Sequence, residues 1–350
     1  MAIIDKPSDY FNTKLFTGNG GTNAITGVGF QPDWCWFKNR TSAQSHAIVD
    51  SVRGRKGLQS NAADAEYTLA SGKDFGTFDS DGFTVLTPQQ LNSFNYNTGS
   101  IVSWNWKAGT SFTNDASSTG IGTIDSAGSA NDTAGFSIVT YTGNGSSGAT
   151  VKHGMNQKPS MFIIKDRDNS NEGWMVYHTS LGATKYMRLN ETGAAATGSA
   201  YFNDTEPTSS VFTIGNNDVV NKSGDKYVTY CFASKQGYSK FGSYTGNGNA
   251  NGSFIYTGFK PAWFMFKRTN GSGRWQILDN KRNLSNVTDK GISANTNGAE
   301  GSGWSLDFLS NGVKLRYNDT EINGSGDSFI YMAWAENPFV ASNFVPTTAK

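Results

Sequence analysis

The chain has three histidines, His46, His153 and His178, and these are the first residues to test as a general base or a metal ligand. They form no HxH or HExxH spacing, the arrangement that sets two imidazoles on one face of an element and lets them share a zinc ion. Cleavage of a glycosidic bond needs two carboxyl groups about 5 to 10 Å apart. The acids that could supply them are Asp50 and Asp279, Asp79 with Asp81, and Glu191 with Glu206. Asp166, Asp168, Ser170 and Glu172 alternate oxygen donors as calcium loops do, but without the central Gly and distant bidentate Glu of an EF-hand. Asp166, Asp168 and Glu172 are therefore a weak metal candidate, and a solvated turn is the favoured reading. Basic residues at Lys38-Asn39-Arg40, Lys165-Asp166-Arg167 and Lys267-Arg268 suit anionic sugars or plain strand ends in water; the second is favoured, because exposed strand ends commonly carry charge. Aromatic side chains stack on sugars as well as fill cores, and Trp275, Trp304, Tyr67, Tyr96 and Tyr201 are the ones freer to meet a receptor, although core or interface packing is the favoured reading.

What must position these residues is a repeated unit. TGNG occurs at Thr17 to Gly20, Thr142 to Gly145 and Thr245 to Gly248, and placing the three in register aligns much more. A Gly, a Pro and a large apolar run ending in a base follow each one: GFQPDWCWFKNR, GMNQKPSMFIIKDR and GFKPAWFMFKR. The distance from the first Thr to the closing run (IVSWNWKA, YVTYCFAS, FIYMAWAE) is 84, 85 and 84 residues, which shared ancestry explains and chance does not. In this register His46 takes the slot of Trp174 and Trp275, a packing position for a flat ring, while His178 takes the slot of Asp50 and Asp279. The carboxylate pairs do not recur, so Asp50 and Asp279 are expected to end a strand and accept backbone bonds in the next turn. Gly18-Asn19-Gly20, Gly143-Asn144-Gly145 and Gly246-Asn247-Gly248 are predicted to close the first hairpin of each copy. They lack the Lys-Ser/Thr and helix of a phosphate loop.

Within each copy, apolar runs of five to eight residues are separated by Gly, Asn, Asp and Ser clusters, the pattern of short antiparallel strands. The expected fold is all-β: three tandem antiparallel β-sandwich domains, at residues 10–108, 136–237 and 238–339. Residues 1–9 form an N-terminal arm, 109–135 a flexible Gly/Ser/Thr-rich linker, and 340–350 a tail. Runs such as Trp34 to Phe37 are apolar on both faces and should be central in a sheet covered on each side. The one modest helix candidate is Asn61 to Ala70. With 16% charged residues and a net charge of +1, no basic footprint points to nucleic acid or an anionic membrane, and no run approaches the ~18 apolar residues of a span. The start, MAIIDKPSDY, lacks the apolar core of a secretory signal, so synthesis in a cytoplasm is expected. Cys35 and Cys231 read as two buried free thiols.

The stretches YTGNG, GFKPAWFMFKR, GYSKFGSYTGNG, FLSNGVKLR and YMAWAENPF together resemble the repeated domain of marine bacteriophage virion proteins, including phages of cyanobacteria and of abundant ocean bacteria. The resemblance covers about Tyr10 to Phe339. It implies a jelly-roll, concanavalin (lectin)-like sandwich per copy and a place on the exterior of a phage particle, and it brings no catalytic residues or cofactor. The expectation is a non-enzymatic virion structural protein, made in the bacterial host and working with other virion proteins. It would be a tail-fibre tip or accessory adhesin contacting a host surface glycan, as a homo-oligomer with a trimer favoured. A head-surface decoration or cement protein is the alternative, and a polysaccharide depolymerase comes third.

Overall fold

Strands form where the large apolar residues cluster, and turns where Gly, Asn and Asp do. In a computed structural model that describes residues 3–343 and 345, the chain is all-β, with 42% strand and 4% helix. Each copy builds a larger antiparallel sheet in one order: opening, closing, central, flanking strand. In copy one these are Phe11–Thr17, Ser100–Trp106, Trp34–Asn39 and Ala47–Asp50. The equivalents are Phe136–Thr142, Lys226–Phe232, Met161–Asp166 and Met175–His178 in copy two. In copy three they are Ser239–Thr245, Ser328–Pro338, Phe259–Arg268 and Gln276–Asp279. A smaller sheet faces each: Asn23–Thr26 with Gly82–Val85 and Phe75–Asp79, Ala149–Lys152 with Val211–Ile214, and Phe254–Tyr256 with Gly312–Leu315 and Leu306–Leu309.

Alternation along a strand sends successive side chains to opposite faces. Cys35 and Phe37 therefore point between the two sheets of copy one, where they join Phe75, Phe83 and Phe94. Trp34 and Trp36 point the other way, into a cluster drawn from all three copies. That shared cluster holds Trp104 and Trp106 of copy one, Ile163, Tyr230 and Phe232 of copy two, and Trp263, Met332 and Trp334 of copy three. The Trp334 ring lies 5.2 Å from Trp106, 5.1 Å from Trp263 and 5.5 Å from Phe232. Runs apolar on both faces are thus covered on both faces, but the second cover is another copy of the unit. The three copies therefore do not have wholly separate cores: the three larger sheets turn their outer faces toward one common core. The arm contributes Ile4, and the junction between copies two and three contributes Tyr238 and Phe241.

Three further expectations change. The TGNG segments close no hairpin, because the strand before each lies in the larger sheet and the strand after it in the smaller one. They are crossovers between sheets. Residues 109–135 are not a loose linker: Thr110–Asn114 and Ser126–Asn131 form a hairpin, with a short helix Ala116–Thr119, that extends the larger sheet of copy two. Small residues make this possible, since a Cβ on Gly128 would lie 2.0 Å from Ile138 O. Asn61 to Ala70 is not helical; it contains the two-residue strand Tyr67–Thr68 and lies against copy two through Glu66. Cys35 and Cys231 are both free and buried, and desolvation raises both thiol pKa values.

Candidate functional site

Most residues that could do chemistry are engaged in joining the copies. The slot shared by His46, Trp174 and Trp275 is a ring N–H aimed at a neighbouring copy's backbone. Trp174 Nε1 donates to Gln59 O at 2.9 Å and Trp275 Nε1 to Arg188 O at 2.9 Å. Trp36 Nε1 donates to His46 Nδ1 at 2.8 Å, so the imidazole proton sits on Nε2 and is directed at Ser293 O, 3.0 Å away. The strand-end lysines follow the same plan: Lys165 Nζ reaches Ala63 O at 3.1 Å, and Lys267 Nζ reaches Thr192 O at 3.0 Å. Copy one leans on three, three on two and two on one, which closes a ring. Lys38, Lys165 and Lys267 are buried, and desolvation lowers each ammonium to about 8. They are not exposed strand-end charges.

The slot of Asp50, His178 and Asp279 has a physical account as well. Asp50 accepts the Arg53 amide at 2.9 Å, its guanidinium at 2.6 Å, and the Tyr230 hydroxyl of copy two at 2.7 Å. Asp279 accepts the same two groups from Arg282 and, at 3.0 Å, Trp104 Nε1 of copy one. The residue equivalent to Tyr230 and Trp104 in copy three is Met332, which has no donor. Opposite it stand His178, which contacts Tyr331 O at 3.1 Å, and Leu181 in the place of the arginine. These acids are paired, buried and not arranged across a cleft. Asp79 accepts from Thr77 and Thr84, and Asp81 from Gly27 N and Gly29 N. Glu206 binds Lys158, and Glu191 binds Arg188.

The Asp166, Asp168 and Glu172 stretch forms a capped turn. Asp166 accepts from Asp168 N, Asn169 N and Asn169 Nδ2; Asp168 accepts from Lys226 N; and Glu172 offers its carbonyl to Lys165. Among the described residues, no three His, Cys, Asp or Glu side chains converge as metal ligands.

The five aromatics proposed for a receptor do not come together. Trp275 is buried in the shared core. Trp304 is half-buried under the Arg274 guanidinium, 4.8 Å away, and Tyr201 is packed on Tyr186 at 3.9 Å between ring centroids. Tyr67 packs on the core of copy one, and only Tyr96, at 45%, is well exposed. A different set is brought together in copy three. Phe254 and Tyr256 are 46% and 54% exposed on the same face of the strand Phe254–Tyr256, whose Ile255 between them is buried.

That strand is the edge of the smaller sheet, and Ser239–Thr245 is the edge of the larger one. Between the two edges lies a groove with two cavities. One, of about 530 Å³, is lined by Lys240, Gly242, Tyr244, Phe254, Tyr256 and Tyr331 among others. The second, of about 420 Å³, is lined by Lys235, Lys240, Phe241, Tyr256, Gly258 and Phe339 among others. Lys240 stands at their junction, with Nζ 2.8 Å from Tyr256 O and 4.9 Å from the Tyr256 ring centroid. Gly242 makes room for Tyr331, because a Cβ there would meet the phenol oxygen at 2.7 Å.

The equivalent place in copy two is filled by residues of the hairpin just described. Ser126 Oγ donates to Lys152 O at 3.1 Å, and Lys152 is the counterpart of Tyr256. In copy one the exposed pair is Ala24 and Thr26, too small to stack on a ligand. The aromatic groove is thus specific to copy three. Aligning the copies and asking where one alone gains aromatics on a short edge strand would have found Phe254 and Tyr256, but YTGFK reads first as turn and core.

The chain belongs to the family described as a domain of unknown function (DUF7483), whose model matches residues 6–338 and so spans all three copies. No curated protein matches the chain.

Proposed function

We propose that the chain is a non-enzymatic structural protein of the outer surface of a bacteriophage particle. It would act as a tail-tip or accessory adhesin built from three tandem jelly-roll sandwiches, with the groove of copy three as its contact for a host surface glycan. The observation that carries this reading is the groove itself, in which aromatic faces are held open between two sheet edges in one copy of three. Aromatic rings with an adjacent cation suit a sugar, whose C–H face packs on the ring while its hydroxyls meet polar groups. The acids that could have cleaved a glycan are instead tied into turns and ion pairs, which supports holding over hydrolysis. The closed ring of copies adds stiffness, so that little ordering is required when the groove is filled.

The test is adsorption. The purified chain should bind host cells and compete with phage attachment, and Tyr256→Ala should abolish both while melting as the wild type does. Undiminished binding by that variant would refute the assignment of the groove. Immunogold label on the head instead of the tail would favour a second reading, decoration of the head, to which the threefold arrangement of copies lends itself because it could match a threefold site on a shell. Release of reducing sugar from host polysaccharide would overturn the non-enzymatic reading.

A further inference from the structure

The charges of the groove say which glycan it suits, an inference that rests on the adhesin reading above. Its two cavities are lined by two cations, Lys235 and Lys240, and by no carboxylate. Lys240 faces both cavities. The Lys235 ammonium makes no hydrogen bond with the described residues, although its backbone N–H is bonded to Ser239 O. The acid that acts on it, Asp132, does not line the cavity. Neither lysine forms an ion pair with a carboxylate among the described residues, and desolvation lowers the pKa of both. Elsewhere in the chain partly buried guanidiniums have a carboxylate, as Arg40 has Glu300 and Arg268 has Asp327, and the buried ammoniums of Lys165 and Lys267 each have three backbone carbonyls, whereas Lys240 has the single carbonyl of Tyr256. An incoming anion would supply here what those carboxylates supply there.

We propose that the groove binds an acidic polysaccharide, carrying carboxylate or sulfate groups, with Lys240 and Lys235 meeting its charges while Phe254 and Tyr256 pack on its sugar faces. The competing occupant is an extended peptide strand, since copy two already seats one at the equivalent edge. Two features disfavour it. Position 240 corresponds to Ser137 in copy two, a small residue beside the seated strand, whereas a lysine on an edge strand guards against strand pairing. In addition, the Lys240 side chain is bonded to Tyr256 O, the counterpart of the carbonyl that Ser126 of the hairpin occupies in copy two.

The experiment is calorimetric titration of the full chain with a polyuronate oligosaccharide and with its carboxyl-reduced neutral form. The acidic form should bind roughly tenfold or more tightly, about the worth of one charge-assisted contact, and should weaken as salt rises. Lys240→Gln should bring its affinity down to that of the neutral form, and Lys240→Arg should largely retain it. Equal affinity for the two forms would overturn the charge assignment while leaving a glycan groove in place. Failure of either to bind, together with unchanged cell adsorption by Tyr256→Ala, would remove the groove reading itself. Competition by an extended edge-strand peptide, without competition by the polyuronate, would replace the glycan with a strand.

Discussion

At the scale of single residues, the three TGNG turns show why four letters are kept. Gly18, Gly143 and Gly246 each run against backbone: an added Cβ would lie 2.1 Å from Tyr96 O, 2.3 Å from Lys222 O and 2.2 Å from Gly324 O. Gly20, Gly145 and Gly248 have φ of 70°, 73° and 65°, a region costly for other residues. The Asn between them is locked by a second Asn: Asn95, Asn221 and Asn323 each accept its amide N–H through Oδ1 and donate from Nδ2 to its Oδ1. Gly143→Ala should therefore cost roughly 1–3 kcal/mol in a urea titration, as overpacking against fixed backbone does, while Gly193→Ala, with no atom within 4 Å, should cost almost nothing. The histidines give a pH signature. Both ring nitrogens of His153 and His178 are engaged, and desolvation lowers each to about 4 from the usual 6.5. The unfolded chain takes up these protons from about pH 6.5 downward and the folded chain only near pH 4. Stability present above 6.5 should accordingly fall as pH drops toward 4, by on the order of 3 kcal/mol per imidazole in full. Urea midpoints at pH 7.5, 6 and 5 read this directly, and His178→Gln should flatten the slope; a midpoint independent of pH over that window would contradict the buried neutral assignment.

At the scale of elements, the strands of each larger sheet were legible because their apolar runs recur in register, and Trp104 and Trp106 alternate with Ser103 and Asn105 as a pleated strand requires. The hairpin in residues 109–135 was not legible. SAGSAN has no large apolar residue to announce a strand, and it pairs because small side chains let it lie flat on Phe136–Thr142 and because Ile124 forms a bridge with Val151 of the smaller sheet. The groove was missed for a related reason: an edge strand is defined by the pairing it lacks, and three residues, Phe254–Tyr256, carry too short a pattern to show which face is covered. The hairpin makes a test at this scale. Gly128→Val would drive a side chain into Ile138 O and Phe112 and should detach the hairpin locally. Amide exchange should rise across Thr110–Asn114 and Ser126–Asn131, with glycan binding at copy three unchanged. Loss of that binding would mean that the two grooves are not separate.

At the scale of the molecule, the ring closes through contacts that no periodicity announces, because many of the groups accepting bonds from His46, Trp174, Trp275, Lys165 and Lys267 are backbone carbonyls. A carbonyl has the same identity at every position, so the sequence carries no mark of it. The side-chain pairs are marked: Asp50 with Tyr230, Asp279 with Trp104, and the loss of the acid in copy two where Met332 stands opposite. A chain closed in this way should unfold as one body, because removing any copy exposes the outer faces of the larger sheets of the other two. Trp334→Ala provides the test, since its ring touches rings of all three copies. It should cost about 3–5 kcal/mol, as truncating a fully buried indole does. Protection should then fall together in the central strands Trp34–Asn39, Met161–Asp166 and Phe259–Arg268. Phe308→Ala, which sits in the core belonging to copy three alone, should instead loosen the sheet Leu306–Leu309 and Gly312–Leu315 first. Calorimetry of the wild-type chain should show one transition whose van't Hoff and calorimetric enthalpies agree. Three resolved transitions, or a Trp334→Ala variant in which copy three alone loses protection, would mean that the shared core does not couple the copies. Each sandwich would then stand on its own internal core.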